Sequence, residues 1–169
     1  MPGISLVKSK NLISSQLDAI EEFQSRLKQT LPHISCEILY HNEDTIIHQT
    51  TYKNYEFYYH KVGNWLISLE GMRNNIDFEG ITNSINLFNS REISKEEIQS
   101  WRDKTFNQCK TDFFFLACNL ETGTVVFAND DLARMPVYLF HQKGTFIISR
   151  EYPMVKNLNK DLIPDKLFL

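Results

Sequence analysis

Residues 112–151 read DFFFLACNLETGTVVFANDDLARMPVYLFHQKGTFIISRE, and their pattern sets the architecture. Short runs of β-branched and aromatic residues alternate with turn sequences that contain Gly123 and Gly144. Such runs, when glycine turns separate them, are typical of an antiparallel meander. The run Phe113–Cys118 is apolar almost throughout, which predicts a central strand that is buried on both faces.

Strand patterns also occur before this meander. The N-terminal run Ile4–Val7 predicts a first short strand. Alternating apolar and polar residues predict four more strands, at Ile34–Tyr40, Thr45–Tyr52, Tyr55–Lys61 and Trp65–Glu70. Because helices are interspersed without strict βαβ alternation, the sequence predicts an α+β fold with largely antiparallel sheets.

Helical patterns fill the remaining segments. Ser15–Leu31 places apolar residues on one face and is followed by a proline that ends the pattern. Ser94 and Glu97 form a capping box, which predicts a helix that starts there. We expect this helix to bury Ile98, Trp101 and Thr105, with the tryptophan as a core anchor. Weaker patterns predict helices at Ile81–Phe88 and Met154–Leu158.

Composition bounds the class of protein. The 169 residues are 42% hydrophobic and 23% charged, with a formal net charge of −3, as in one soluble globular domain. No basic stripe suggests a nucleic-acid partner, and no apolar run is long enough to span a membrane. Cys36, Cys109 and Cys118 lack metal-ligand spacing. These features predict a reduced, cytoplasmic protein without a metal or other cofactor.

Four residues in and after the meander carry a resemblance to a known family. Asp130 follows a strand that ends in Ala-Asn, Pro136 and Tyr138 open the next strand, and Glu151 follows a hairpin that ends in Ser-Arg. Their order and spacing resemble the glutaminase domain of the asparagine synthetase family. That domain is a class II glutamine amidotransferase of the N-terminal-nucleophile type.

The resemblance implies an architecture and a domain division. It implies a four-layer αββα sandwich, in which two largely antiparallel sheets stack between outer helices, as in N-terminal-nucleophile hydrolases. It assigns residues 1–160 to the amidotransferase-like domain and residues 161–169 to the start of a linker toward a synthetase domain. In the stretch around Asp130 that carries the resemblance, two positions depart from the family pattern, Asn129 and Ala133.

The nucleophile position is the most consequential departure. The family begins Met-Cys-Gly-Ile, and removal of the methionine frees the cysteine, whose own amino group serves as the base. This chain begins Met1-Pro2-Gly3-Ile4, so that the resemblance places Pro2 at the nucleophile position. Because proline has neither thiol nor hydroxyl, no acyl-enzyme can form there, and we expect no catalytic residue of the family type.

The substrate pocket implied by the resemblance is degenerate as well. The arginine that holds the glutamine carboxylate corresponds to Thr50, which offers no bidentate cation. The asparagine of the oxyanion hole corresponds to Glu70, although the following Gly71 and the later Asn75 are kept. An ionised carboxylate has no hydrogen to donate to an oxyanion. The aspartate that holds the amino group corresponds to Lys95, which reverses the charge.

Other residues could form a functional site, and each of them has a chemical and a structural interpretation. Cys36 near His33 could be a relocated nucleophile, but a thiol in an alternating strand is more often a small buried hydrophobe. A free Pro2 amine could act as a base or form an imine. Asp130 and Asp131 beside Arg134 could act as acid and base, although hydrogen bonds to the turn backbone are favoured. Three histidines on neighbouring strands match no standard zinc spacing: His41, His48 and His60.

The resemblance therefore predicts a glutaminase-like domain that has lost catalysis. It would act as a structural or docking domain for an ATP-dependent amide-forming synthetase of the ATP-pyrophosphatase type, in cis or in trans. The alternatives are a divergent active amidohydrolase or glutamine amidotransferase, and a Pro2-dependent enzyme. A cluster of apolar residues near the C-terminus predicts contact with the synthetase: Leu162, Ile163, Leu167, Phe168 and Leu169.

Overall fold

The structure is a computed structural model that describes residues 3–10, 14–55, 57–71, 77–89, 93–106, 112–130, 132, 134–142 and 144–158. Within these ranges the chain forms two antiparallel sheets and four α-helices, which confirms the α+β prediction. The chain divides into two compact units. The first unit comprises Met1–Tyr55 and Pro136–Leu169, and the second unit comprises Glu56–Met135.

The described elements lie close to their predicted positions. The bounds of β3 and β5 are those expected from the sequence, and α1 and β6 are each displaced by one residue. The order of elements is β1 (Gly3–Ser9), α1 (Ser14–Thr30), β2 (Ile34–His41), β3 (Thr45–Tyr52), β4 (Phe57–Val62), β5 (Trp65–Glu70), α2 (Phe78–Ile85), a 3₁₀ helix (Asn86–Asn89), α3 (Lys95–Phe106), β6 (Phe114–Asn119), β7 (Val125–Asn129), β8 (Tyr138–Gln142), β9 (Thr145–Ser149) and α4 (Tyr152–Leu158).

The first unit is built around β1. Its described strands form an antiparallel sheet in the order β2-β3-β1-β9-β8, so that the N-terminal strand lies in the middle. Ile4 and Leu6, on one face of β1, are buried, and so is Val7 on the other. On the Val7 side, the sheet packs against α1 and α4 through an apolar cluster of Val7, Ile20, Phe23, Ile46, Ile147, Met154 and Val155.

The second unit is built around β5 and β6. Its described strands form an antiparallel sheet in the order β4-β5-β6-β7. Every residue of β6 is buried although side chains alternate between the faces, which confirms the predicted two-sided burial. One face packs against α2 and α3 in a core that contains Trp65, Ile67, Leu69, Ile81, Ile85, Trp101, Phe106, Phe113, Phe115 and Ala117.

The single meander expected for residues 112–151 is wrong. In the described chain β6 pairs with β7 in the sheet of the second unit, whereas β8 pairs with β9 in the sheet of the first unit. The break falls after Asp130, whose Oδ1 accepts hydrogen bonds from the backbone N–H groups of Leu132 (3.1 Å) and Arg134 (3.4 Å). This turn, followed by Pro136, which has no N–H to donate to a strand partner, ends the pairing.

Helix α3 begins at the predicted capping box, but its buried face differs from the predicted one. Ser94 Oγ accepts from the N–H of Glu97, and the Glu97 carboxylate accepts from the N–H of Ser94, which confirms the capping box. Trp101 is buried as predicted, but Ile98 is 45% exposed, so its assignment to the core was wrong. The helix buries Trp101 and Phe106 toward its C-terminal end and leaves its first turns in solvent.

Helix α2 begins earlier than the expected Ile81. Asp77 precedes it and its side chain accepts a hydrogen bond from Gly80 N–H, as an N-cap does. The predicted last turn is instead the 3₁₀ helix. The Trp65 indole N–H donates to the side chain of Asn86 (2.7 Å), and this hydrogen bond ties the 3₁₀ helix to β5.

Candidate functional site

Thr50, which the resemblance predicts as the counterpart of a substrate-binding arginine, makes a structural contact. It lies opposite Gly3 in the β1–β3 register and is fully buried. Its Oγ1 accepts a hydrogen bond from Gly3 N–H and donates one to Gly3 C=O, both at 3.2 Å. A side chain at residue 3 would collide with Arg150, so that the start of β1 is held closely on both sides. The Thr50 hydroxyl therefore anchors the backbone of β1.

Glu70 and Gly71 lie at the end of β5 in the second unit. Glu70 is fully buried between its register partners Phe57 and Phe114. Gly71 has φ +83°, and a Cβ there would meet the carbonyl oxygen of Asp112. This conformation and this close approach both require glycine. A buried carboxylate followed by a glycine packed against a carbonyl oxygen is poorly suited to stabilise a negative charge.

Lys95 is the first residue of α3 and is exposed to solvent. It borders a shallow polar depression along the outside of this helix, together with Glu96, Gln99, Ser100, Asp103 and Lys104. Charged residues of both signs alternate there, as is common on a solvated helix face. Nothing in this depression holds a buried group that would orient a ligand.

The structure distributes the predicted pocket residues over the chain. Thr50 belongs to the first unit, whereas Glu70, Gly71 and Lys95 belong to the second. Pro2 and Asn75, the remaining pocket residues, lie outside the described residues, as do residues 161–169.

A charged cluster near Gly71 consists of Asp112, Asp130 and Arg134. The sequence indicated Asp130 and Arg134 but not Asp112. Arg134 Nη2 lies 2.7 Å from Asp112 Oδ1, and its Nε lies 3.5 Å from Asp130 Oδ1. Asp130 also accepts the two turn hydrogen bonds, which confirms its structural interpretation; Asp131 lies outside the described residues. Asp112 was missed because it precedes β6 in a position with no motif of its own. Arg134 and Asp112 are about half exposed, so their ion pair contributes at most about 1 kcal/mol.

Cys36 does not have the surroundings of an activated nucleophile. Burial raises the pKa of its thiol; a nearby Lys28 opposes this shift and Glu151 adds to it. The net rise keeps the sulfur protonated at neutral pH, whereas catalysis requires a thiolate. His33, which lies near Cys36 in sequence, stacks on Tyr52 with ring centroids 5.4 Å apart.

The histidines do not gather into a metal site. Within the described ranges no group of three or more His, Cys, Asp or Glu side chains could hold a metal ion. His60 packs against Phe78, and His41 is exposed at the end of β2. His48 is buried, and the loss of hydration lowers the pKa of its imidazole to about 4. It is therefore neutral at physiological pH.

Comparisons with known proteins give no identification. No known family model matches the chain, and no curated protein matches it significantly. Among the described residues, no helix has both the length and the apolar character needed to cross a membrane.

Proposed function

We propose that this chain is a glutaminase-like domain that has lost glutaminase chemistry and serves an ATP-dependent, amide-forming synthetase as a structural or docking domain. The observation that carries the proposal is the hydroxyl of Thr50. At the position where the family holds the substrate carboxylate, this side chain is committed to both backbone groups of Gly3. A substrate contact has been replaced by a contact within the fold.

The architecture of each unit supports the scaffold part of the proposal. The first sheet buries both faces of β1, and the second sheet buries both faces of β5 and β6. Helices cover one face of each sheet. A sheet that has one helix-covered face and a second buried face is what a four-layer αββα sandwich of the N-terminal-nucleophile type requires.

The chemistry of the second unit supports the loss of activity. The family stabilises the oxyanion with an asparagine side chain and a glycine N–H, and here the first of these groups is the buried Glu70. Loss of one oxyanion donor costs about 3–4 kcal/mol in a well-studied protease. The family's charge-assisted contacts are lost at Thr50 and at Lys95. Each loss would remove roughly 1.5–3 kcal/mol of substrate binding free energy. Restoring the thiol alone therefore leaves the substrate unheld.

The direct test is hydrolysis of glutamine by the wild-type protein and by Pro2→Cys. We expect neither protein to release ammonia above background, and neither to form a covalent adduct with a glutamine-analogue electrophile, as measured by intact mass. An active glutaminase of the family serves as the positive control for both assays. Ammonia release by the wild type that is lost in a folded Asn75→Ala variant would overturn the inactive assignment and favour the enzyme alternatives.

The docking part is tested separately, with a purified synthetase domain of the ATP-pyrophosphatase type. We expect a stable complex in analytical ultracentrifugation and a binding heat in titration calorimetry. Removal of residues 161–169 should weaken this binding at least tenfold while the far-UV spectrum of the domain stays unchanged. Binding that is indifferent to this truncation would refute a docking role for the apolar C-terminal residues.

A further inference from the structure

His48 is buried in the layer between the first-unit sheet and α1. It lies on the middle of β3, with Ser5 of β1 and Ile38 of β2 as its register partners. The side chain is 1% exposed, and the ring of Phe23 from α1 meets it edge-on with centroids 6.3 Å apart. The imidazole is therefore enclosed by two neighbouring strands and a helix.

The polar groups beside this imidazole are satisfied without it. Ser5 Oγ and Ser149 Oγ share a hydrogen bond of 2.7 Å, and Ser149 Oγ also accepts from Glu151 N–H at 2.8 Å. Neither ring nitrogen of His48 has a hydrogen-bond partner among the described residues. An imidazole in this state loses its hydration on packing and gains no hydrogen bond in return.

Helix α1 adds two more unsatisfied groups. Gln16 Oε1 and Gln24 Nε2 are buried without a hydrogen-bond partner in the described chain. These glutamines lie four residues before and after Ile20, so the three side chains share one ridge of the helix. Each unsatisfied group weakens the attachment of the helix, because it loses its hydration and gains no hydrogen bond. Asn157 of α4 donates a hydrogen bond to Ala19 C=O (2.8 Å), and Ile20 and Phe23 of α1 pack in the apolar cluster on the sheet.

Among the described residues, no charged group offsets the burial of His48. The charged side chains of α1 are all exposed: Asp18, Glu21, Glu22, Arg26 and Lys28. On α4, Lys156 is also exposed. Four further titratable residues of the described strands lie on the same face of the sheet: Cys36, which stays protonated, His41, Tyr52 and Tyr138. Tyr152 of α4 packs against Tyr138, and Glu151 lies beyond the end of β9. The pKa of His48 is lowered by desolvation alone, without a contribution from a neighbouring charge.

We propose that His48 makes the attachment of α1 an acid-sensitive latch, in which uptake of one proton by the imidazole detaches the helix from the first-unit sheet. In the detached state the imidazole is hydrated and has its ordinary pKa of about 6.5, whereas in the packed state the pKa is about 4. The detached state therefore binds more protons between these values. The stability that neutral His48 confers is fully present above about pH 6.5 and is lost as the pH falls through about 4.

The test is amide hydrogen exchange of the full chain at pH 7 and at pH 4.5, corrected for intrinsic exchange rates. We expect protection of the α1 amides to fall on the order of a hundredfold at pH 4.5. This pH lies about two units below the ordinary histidine pKa of about 6.5, and each unit changes the equilibrium tenfold. Amides of β5 and β6 should keep their protection. Unchanged protection of α1, or an equal loss in β6, would overturn the proposal, because the first shows no latch and the second shows global unfolding.

Variants identify the proton acceptor. His48→Gln removes the titrating group and should leave α1 protection independent of pH in this range. His41→Gln, at an exposed position of β2, is the matched control and should respond as the wild type does. An acid response that persists in His48→Gln would contradict the assignment. If that variant does not fold, the imidazole of His48 is titrated in the wild type by NMR, and titration near pH 6.5 with α1 still protected would refute the latch.

Discussion

In each unit, helices pack on one face of a sheet. The two units differ in the residues that fill the layer between the helices and the sheet. In the second unit this layer is aromatic and apolar, and the indole N–H of Trp101 donates to Ser84 Oγ at 2.9 Å. In the first unit the corresponding layer contains a buried polar row across three strands, His48, Ser5 and Ser149, in which the imidazole has no hydrogen bond from a described residue.

The difference shows how one architecture can serve two purposes. An apolar layer contributes stability over a wide pH range, because its buried residues carry no group that titrates. A layer with an unsatisfied imidazole contributes less, and its contribution depends on protonation. We therefore expect the second unit to contribute most of the free energy of unfolding, and the first unit to make this free energy depend on pH.

The largest expected effect is on the apolar layer. Phe115→Ala removes a fully buried ring from β6 and should lower the free energy of unfolding by about 3–5 kcal/mol. Phe127→Ala is the matched control, since Phe127 is 41% exposed on β7, and it should cost less than about 1 kcal/mol. Urea denaturation followed by fluorescence measures both. Similar losses in the two variants would show that the apolar layer of the second unit contributes no more than an exposed aromatic ring.

A smaller effect is expected at the end of β5. Gly71→Ala imposes a left-handed backbone on alanine and drives its Cβ into the Asp112 carbonyl, so that strain and overpacking together cost roughly 2–4 kcal/mol. Gly63→Ala separates the two terms, because Gly63 has φ +57° but open space around its Cβ position. It should cost about 1–2 kcal/mol. Equal midpoints of thermal unfolding in the two variants would show that the contact with Asp112 is absent.

The smallest effect concerns the polar layer. Thr50→Val keeps the shape of the side chain but removes the hydroxyl that bonds Gly3, and it should cost about 1–3 kcal/mol. Thr50→Ser keeps the hydroxyl and is the control. Hydrogen exchange of the amides of β1 is the measurement, and protection should fall in the valine variant more than in the serine variant. The reverse order would show that the methyl group of Thr50, not its hydroxyl, holds the strand.

The local features of the fold could be predicted because neighbouring residues determine them. The alternation in Thr45–Tyr52 and Trp65–Glu70 gave the bounds of both strands, and Ser94 with Glu97 gave the start of α3. Which strands share a sheet could not be predicted in this way. A period-two pattern specifies a strand and its buried face but not its neighbour, and for this reason β8 and β9 were assigned to the wrong sheet.

The candidate site shows the same division between local and long-range information. The sequence identified the residue types at positions 50, 70, 71 and 95, but their partners come from distant segments. Thr50 contacts Gly3, and Gly71 packs against the carbonyl oxygen of Asp112. Ile98 illustrates the limit within one helix: its spacing from Trp101 suits a buried face, but no core reaches the first turns of α3.

The central position of β1 has a consequence for the synthesis of the protein on the ribosome. Ser5 and Ser149, which meet across β1 and β9, are 144 residues apart in the chain. In contrast, the strands of the second sheet are neighbours in sequence order, so that this sheet can close while the chain is still growing. At about 5–20 residues per second, one edge of β1 waits roughly seven to thirty seconds for β9 to be made. Until then it exposes unpaired backbone groups and apolar side chains, the kind of segment that chaperones bind.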